Sequence, residues 1–180
     1  MDDTFALRLR HARDERGLSL SELARRSRIG KGTISELENG RRGARLDTLF
    51  ALSTALEVPL GELIPSAGGD EPPVVAGDSV IATPLATWRS GGETIEAYRA
   101  SVTTTTQHSE AHGAGVDETV TVIRGRVALG PEPLERELGP GDSLRYPGDV
   151  PHVFTALGGE AEVILLMHYP ASARRERHAQ

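Results

Sequence analysis

The chain has 180 residues, enough for one large domain or for two domains that each bury a core. It contains no cysteine, which excludes disulfide bonds and thiolate chemistry. No stretch approaches the ~20 consecutive apolar residues of a membrane span, and the charged, amphipathic N-terminus MDDTFALRLR does not look like a signal peptide. These features predict a cytoplasmic protein that does not associate with a membrane.

Charge is distributed unevenly along the chain. The formal net charge is −6, but residues 8–45 carry eleven Arg or Lys against five Asp or Glu. Residues 67–180 carry nine basic and sixteen acidic residues. A basic N-terminal third beside an acidic remainder indicates that the first part meets a polyanion, which the second part repels.

The first two helices are predicted from apolar spacing and from capping residues. Ser19 and Glu22 form an S-x-x-E capping box, so a second helix is predicted to begin at Ser19. A first helix precedes it and ends at Gly17. Its buried stripe is formed by three residues at helical spacing: Phe5, Leu9 and Ala12.

Two further helices and a closing segment complete a predicted domain over residues 1–64. After a turn at residues 28–30, a third helix runs from Lys31 to Asn39 and stops at Gly40. A fourth helix carries an apolar stripe with helical spacing: Leu46, Leu49, Phe50, Ser53 and Leu56. Three apolar residues after Pro59 close the bundle: Leu60, Leu63 and Ile64.

The remainder of the chain has the pattern of an interdomain linker followed by strands. Residues 65–78 (PSAGGDEPPVVAGD) contain six Gly or Pro, which predicts a linker. A β-sandwich or barrel is predicted over residues 79–170, and a flexible tail over 171–180. The predicted strands are rich in β-branched and aromatic residues and include 94–106, 118–125, 142–147 and 161–167.

Residues 18–64 (LSLSELARRSRIGKGTISELENGRRGARLDTLFALSTALEVPLGELI) resemble the Cro/repressor-type (XRE) helix-turn-helix family, and the resemblance extends over residues 4–64. It implies an all-α, lambda-repressor-like bundle that binds DNA through its third helix. Leu20 stands where many relatives carry a phosphate-binding glutamine, and Gly30 replaces the usual hydroxyl cap. The matching pieces are Leu23-Ala24, Ile29-Gly30, Thr33-Ile34-Ser35, Glu38-Asn39-Gly40, 46–49 and 56–60.

The predicted DNA contacts lie on the third helix and just after it, on the face opposite Ile34 and Leu37. Short polar and cationic side chains near the start of a recognition helix reach base edges, and arginines beside it contact phosphates. For the four arginines of helix 1, solvation and DNA contact are equally open. The predicted contacts are Lys31, Gly32, Thr33, Ser35, Glu36, Arg41, Arg42 and Arg45.

The second part of the chain carries two sets of motif residues: His112, Glu118 and Gly125, and then Gly141, Pro147 and His152. These sets match the two motifs of the cupin family, which residues 79–169 therefore resemble. Ala114 stands where the family has its second metal histidine, and Asp149 replaces the glycine expected after Pro147. The resemblance implies an all-β cupin barrel (double-stranded β-helix or jelly roll), so the whole chain is predicted to be a two-domain α + β protein.

In cupins these motifs line the barrel mouth and hold a divalent metal. Carried over by position, His112 matches the first histidine, Glu118 the glutamate and His152 the last histidine, while His108 is a candidate substitute for the missing ligand. Two imidazoles and a carboxylate suit iron, manganese, nickel or zinc. The alternative is structural and binds no metal: Glu118 pairs with Arg124 or Arg126, His108 and His112 are loop residues, and His152 hydrogen-bonds a backbone group.

The barrel is also the predicted effector pocket. Aromatic and histidine side chains on or beside its strands are expected to point inward and to mix apolar walls with a few polar groups, as small-molecule sites do. The residues predicted to line it are Trp88, Tyr98, Tyr146 and His168, together with His112, Glu118 and His152.

A helix-turn-helix followed by a cupin is familiar among bacterial regulators. The predicted function is a sequence-specific, homodimeric transcriptional regulator that binds a double-stranded DNA operator and senses a small-molecule effector in its barrel. The alternative is a mononuclear-metal cupin enzyme, oxygenase- or epoxidase-like, that carries a helix-turn-helix domain. A third hypothesis keeps DNA binding and makes the barrel a purely structural dimerisation unit.

Overall fold

The computed structural model describes residues 3–64 and 74–170. All the predicted helices are present, although the second begins at Leu20 and the third ends at Glu38. Among the described residues, no helix is long and apolar enough to cross a membrane. The helices are α1 (Asp3–Glu15), α2 (Leu20–Ser27), α3 (Lys31–Glu38), α4 (Leu46–Leu56) and α5 (Leu60–Leu63).

The ends of the first helices follow from local chemistry. Ser19 is the N-cap of α2, and its hydroxyl accepts a hydrogen bond from the Glu22 backbone N at 3.1 Å. The Glu22 carboxylate accepts hydrogen bonds from Arg25 and Arg26. Gly17 has a φ of 61°, a left-handed conformation that costs glycine little and turns the chain after α1.

One buried ion pair joins α1 to α3. Arg13 Nε and Nη2 donate to the Glu38 carboxylate at 2.6 and 3.0 Å, and Arg13 Nη1 donates to the Leu18 carbonyl at 2.8 Å. The sequence left two roles open for Arg13, solvation of helix 1 and DNA contact. Both are wrong, because the Arg13 guanidinium bonds α1 to α3 and to the segment before α2. Around this pair lies a core of fully buried aliphatic side chains: Leu9, Leu23, Ile34, Leu37, Leu52 and Leu56.

The second part of the chain forms two antiparallel sheets, as the strand pattern and the cupin resemblance predict. The six-stranded sheet has the order β1-β2-β3-β10-β5-β8, and the four-stranded sheet β4-β9-β6-β7. The strands are β1 (Val75–Ala76), β2 (Val80–Ser90), β3 (Glu93–Val102), β4 (Gln107–Ser109), β5 (Asp117–Arg124), β6 (Val127–Pro131), β7 (Arg136–Leu138), β8 (Ser143–Pro147), β9 (His152–Ala156) and β10 (Ala161–Tyr169).

Strand register decides which side chains face the barrel interior. Met167 of β10 lies opposite Glu96 of β3 on one side and opposite Glu118 of β5 on the other. Glu118 lies opposite Tyr146 of β8. Directly paired residues project to the same face of a sheet, and these four side chains are all buried, so this face is the interior.

The first strand lies inside the segment predicted to be a linker. Val75 pairs with Ala82 of β2 and is 5% exposed. The Gly77 backbone N donates to the Val80 carbonyl at 2.7 Å. The barrel therefore begins before residue 79, because β1 completes the edge of the larger sheet. The rest of the predicted linker, 65–73, and the predicted tail, 171–180, lie outside the described residues.

The helical domain is docked on the barrel through α4 and α5. The Gly61 backbone N donates to Glu96 Oε1 at 2.8 Å, and the Leu60 backbone N donates to Tyr169 Oη at 3.2 Å. At the other end of this contact, Gln107 Nε2 donates to Asp47 Oδ1 at 2.9 Å. Polar contacts at Asp47 of α4 and at Leu60 and Gly61 of α5 therefore hold the helical domain against the barrel.

Candidate functional site

The exposed face of α3 carries the predicted base-reading residues. Lys31, Gly32 and Glu36 are exposed, and Thr33 and Ser35 are half-buried. The opposite face is anchored, because Ile34 and Leu37 are fully buried. The first part of α3 therefore presents short polar side chains and one cation to solvent, as a recognition helix in a major groove must.

The three arginines predicted to contact phosphates lie in different surroundings. Arg41 and Arg42 are exposed, and Arg42 lies 3.7 Å from the Glu36 carboxylate. Arg45, the N-cap of α4, forms an ion pair with Asp78 in the turn before β2. Arg45 therefore faces the barrel in this structure, and its role as a DNA contact remains a prediction.

A buried His–Glu–His cluster lies inside the barrel. His112 Nε2 is 2.8 Å from Glu118 Oε1, and His152 Nε2 is 3.4 Å from the same oxygen. The Tyr146 hydroxyl donates to the other carboxylate oxygen. The side chains of all three cluster residues are at most 4% exposed. The barrel brings together the three residues that the cupin resemblance assigned to metal binding.

The ionisation of the cluster follows from its contacts. Burial alone would raise the pKa of Glu118, but hydrogen bonds from His112 and His152 prevail and hold it below the usual range. Burial alone would lower the pKa of His152, but the hydrogen bond to Glu118 and its negative charge raise it. Both shifts favour the charged forms, the ionised carboxylate of Glu118 and the protonated imidazole of His152.

The donor set fits a divalent cation. His152 Nδ1 is 2.8 Å from the Val150 carbonyl, so this nitrogen carries a proton and Nε2 points at Glu118. The ligand atoms of the three residues lie within 4.8 Å of one another. Two imidazoles and a carboxylate bind Zn²⁺ or Fe²⁺, and such a cation would offer open positions to an oxygen or nitrogen atom of an effector.

A glycine and an aromatic ring enclose the cluster. A Cβ at Gly148 would lie 3.2 Å from Glu118 Cγ and 3.3 Å from His112 Cδ2, so glycine allows this loop to approach. On the side of the helical domain, the Phe50 ring of α4 stacks on the His112 ring with centroids 4.3 Å apart. The sequence placed Phe50 in the apolar stripe of α4, and nothing in the pattern indicated contact with the barrel.

Two of the predicted pocket residues and the predicted substitute ligand do not join the cluster. His168 lies next to the inward-facing Met167, so it points outward, where Nε2 is 3.0 Å from Thr119 Oγ1. Trp88 lies opposite Ile95 on the outer face and is 41% exposed. These placements contradict the expectation that both residues point inward. His108 lies opposite Val153 of β9, so it projects to the other face of the sheet from His152, and its Nδ1 is 2.9 Å from the Glu132 carboxylate.

Tyr98 faces the interior but belongs to a second buried polar group, which sequence reasoning missed. Its hydroxyl donates to Glu96 Oε2 at 2.7 Å, while Glu96 Oε1 accepts from Gly61. Burial raises the pKa of Glu96, the contacts with Tyr98, Gly61 and Tyr169 lower it in part, and the charge of Glu62 raises it. An isolated Glu within a strand carries no pattern that could have revealed this group.

Comparison with known proteins agrees with the helical part of this description. Residues 9–63 match the family model HTH_3, described as Helix-turn-helix. The chain is similar to the HTH-type transcriptional regulator SutR of Escherichia coli (strain K12), with 28% identity over 172 residues, 91% of this chain and 94% of that protein. The uncharacterized HTH-type transcriptional regulator RghRB of Bacillus subtilis (strain 168) is 40% identical over 65 residues, 36% of this chain and 47% of that protein.

Among solved structures, the chain is similar to an HTH_3 family transcriptional regulator from Vibrio cholerae. The TM-score is 0.81 at 23% identity, and the likeness covers 93% of this chain and 96% of that one. The helical domain and the sequence matches together indicate a helix-turn-helix transcriptional regulator, whose second domain is an all-β barrel of two antiparallel sheets. Residues 9–63 are a helix-turn-helix domain, as the sequence predicted, and five helices followed by two antiparallel sheets confirm the predicted α + β fold class.

Proposed function

We propose that the protein binds its operator through α3 and changes its operator affinity when a small molecule or a divalent cation binds at the His112–Glu118–His152 cluster. One observation carries this proposal: the Phe50 ring of the DNA-binding domain lies on His112, with centroids 4.3 Å apart. An event at the cluster therefore acts on the DNA-binding domain by direct contact. As a regulator of genes, the protein would act in the cytoplasm, on the chromosome.

The DNA-binding part is tested by salt dependence and by two kinds of variant. Operator fragments selected from genomic DNA are titrated with the full chain at several salt concentrations. Log K should fall linearly with log salt, by about 0.9 for each phosphate neutralised. Lys31→Ala should change sequence preference, whereas Arg42→Ala should weaken binding to all fragments alike. Equal effects of both substitutions on every fragment would contradict the assignment of α3 as the reading helix.

A dimer is the expected DNA-binding form. One recognition helix per subunit must meet the same face of the duplex, so two half-sites should lie about 34 Å apart or at a multiple of that distance. Footprinting of the selected fragments and light scattering of the free protein measure these two quantities. A monomer in solution that protects a single half-site would refute the expectation.

The sensing part is tested with Zn²⁺ as the probe. Operator affinity of the full chain is measured in Zn²⁺ and in chelator at the same ionic strength. The two values should differ by about 5- to 150-fold, the usual range of allosteric coupling. His152→Gln should reduce Zn²⁺ affinity and remove the difference, while DNA binding in chelator persists. An identical operator affinity of the parent protein in Zn²⁺ and in chelator would exclude the cluster as a cation sensor.

We infer that the cluster senses and does not catalyse. Both oxygens of Glu118 are engaged, one by the histidines and the other by Tyr146, and Phe50 covers His112. Ala114 stands where the cupin resemblance expects a further histidine. Oxygen consumption by the Fe²⁺-loaded protein, measured with and without small organic acids, should equal that of free Fe²⁺. Turnover above this background would favour the enzyme instead.

A further inference from the structure

Phe50 occupies an unusual place for a residue of a DNA-binding domain. It belongs to α4, whose other stripe residues, Leu49 and Leu56 among them, are buried in the helical core. The Phe50 side chain is only half-buried, and its ring stacks on a barrel residue, His112, at an interplanar angle of 30°. Phe50 is therefore the point at which α4 meets the His112–Glu118–His152 cluster.

The orientation of His112 depends on this contact. Nε2 is held by Glu118 at 2.8 Å, whereas Nδ1 is buried and has no hydrogen-bond partner among the described residues. The His152 ring meets His112 edge-on, with centroids 5.0 Å apart. One hydrogen bond leaves an imidazole free to rotate about that bond, so packing against Phe50 and His152 determines the plane of the ring.

The helix that carries Phe50 contacts the barrel near its N-terminal end, and the next helix, α5, contacts the barrel as well. Asp47 of α4 accepts a hydrogen bond from Gln107, and Gly61 of α5 donates one to Glu96. On its other side α4 packs against α2, which packs against α3. A close-packed helix transmits a displacement because its neighbours cannot absorb it in empty space. A shift of α4 therefore moves α2 and the recognition helix relative to the barrel.

We propose that Phe50 is the positioning residue that couples the His112–Glu118–His152 cluster to the recognition helix, a proposal that rests on the sensing function proposed above. A cation or ligand that takes Nε2 of His112 replaces its hydrogen bond to Glu118, and the ring must reorient. Because the Phe50 ring stacks on the His112 ring, α4 would follow. The same contact works in reverse, so a DNA-imposed arrangement of α4 changes the affinity of the cluster for its ligand.

The test compares the coupling ratio, which is the operator Kd in chelator divided by the operator Kd in Zn²⁺, for the full-length parent and its variants. In the parent, the ratio should differ from 1 by about 5-fold or more. Phe50→Leu and Phe50→Met keep an apolar side chain but remove the flat ring, so their ratios should lie within about twofold of 1. Phe50→Tyr keeps the ring and should keep the ratio. Zn²⁺ affinity without DNA is measured for each variant by chelator competition, and the ratio is determined at Zn²⁺ concentrations that saturate that variant.

Leu7→Ala is the matched control. Leu7 is an apolar residue of the same domain and is 65% exposed, so its truncation should leave the ratio at the parental value. Linkage requires operator DNA to change Zn²⁺ affinity by the same factor in the parent, and this reciprocal change should also vanish in Phe50→Leu. That second readout separates coupling from a general loss of DNA affinity.

Each outcome separates the two proposals. If Zn²⁺ alters operator affinity equally in the parent, Phe50→Leu and Phe50→Met, sensing stands and the role of Phe50 is overturned. If Zn²⁺ has no effect on the parent, the cluster is not a cation sensor, and the coupling of a bound cation through Phe50 fails with it. Loss of the ratio in Phe50→Tyr as well would also overturn the proposal, since the ring would then not be the coupling element.

Discussion

Docking of the DNA-binding domain on the barrel depends on a glycine, and replacing it gives a quantitative test. Gly61 of α5 donates its backbone N–H to Glu96 Oε1 at 2.8 Å, and a Cβ at this position would lie 2.6 Å from the same oxygen. Glu96 is 2% exposed and its other oxygen is bonded to Tyr98, so the carboxylate cannot move aside without losing that bond as well. Gly61→Ala should therefore break the contact.

The magnitude follows from two opposing terms. Alanine in place of glycine within a helix gains about 0.8–1.0 kcal/mol. Loss of a hydrogen bond to a charged group costs about 1.5–3 kcal/mol. Gly61→Ala should therefore lower the free energy of unfolding by about 0.5–2 kcal/mol. Urea unfolding of the full-length protein measures this change, and hydrogen exchange at the residue 61 amide reports whether the contact itself is lost.

Gly32→Ala is the control, because it makes the same exchange within a helix but in open space. A Cβ at Gly32 would meet nothing within 4 Å. It should raise the free energy of unfolding by up to about 1 kcal/mol. If Gly61→Ala stabilises the protein as much as Gly32→Ala does, the domain contact through Glu96 has no energetic weight and the reasoning is refuted.

Three further predictions concern DNA binding, pH and the helical core. Arg41→Ala should reduce the slope of log K against log salt by about 1 without changing sequence preference, whereas Thr33→Ala should alter the preference. Titration of two unrelated DNA fragments measures both effects, and a changed preference in Arg41→Ala would contradict the prediction. Burial raises the pKa of Glu96 above its ordinary 4.5, so Glu96 contributes fully to stability below that pH, and the contribution is lost as pH rises through the higher folded pKa. The free energy of unfolding of Glu96→Gln minus that of the parent should therefore increase from about pH 4.5 upward. Parallel pH profiles of the two proteins would exclude the effect. Arg13→Met should cost about 1.5–3 kcal/mol in thermal or urea unfolding, since it leaves the Glu38 carboxylate buried without its partner; an unchanged midpoint would show that this ion pair does not stabilise the domain.

The sequence by itself determined the features that depend on neighbouring residues. Helix bounds follow from short-range rules, as the cap at Ser19 and the left-handed glycine at position 17 show. The recognition helix and the three cluster residues could be named because family motifs record their spacing along the chain. Helical periodicity in the first part, and segments rich in β-branched and aromatic residues in the second, were sufficient to separate a helical domain from a strand domain.

Only the tertiary structure decided which face each strand residue presents and which surfaces meet. His168 and Trp88 were expected in the pocket, but a shift of one residue in register exchanges the two faces of a strand, and local sequence does not state the register. The partners of Arg13 and of Phe50 are likewise remote: 25 residues separate Arg13 from Glu38, and Phe50 meets His112 in another domain. An apolar stripe predicts that a side chain is buried, but only the packing of the whole chain determines which residues it is buried against.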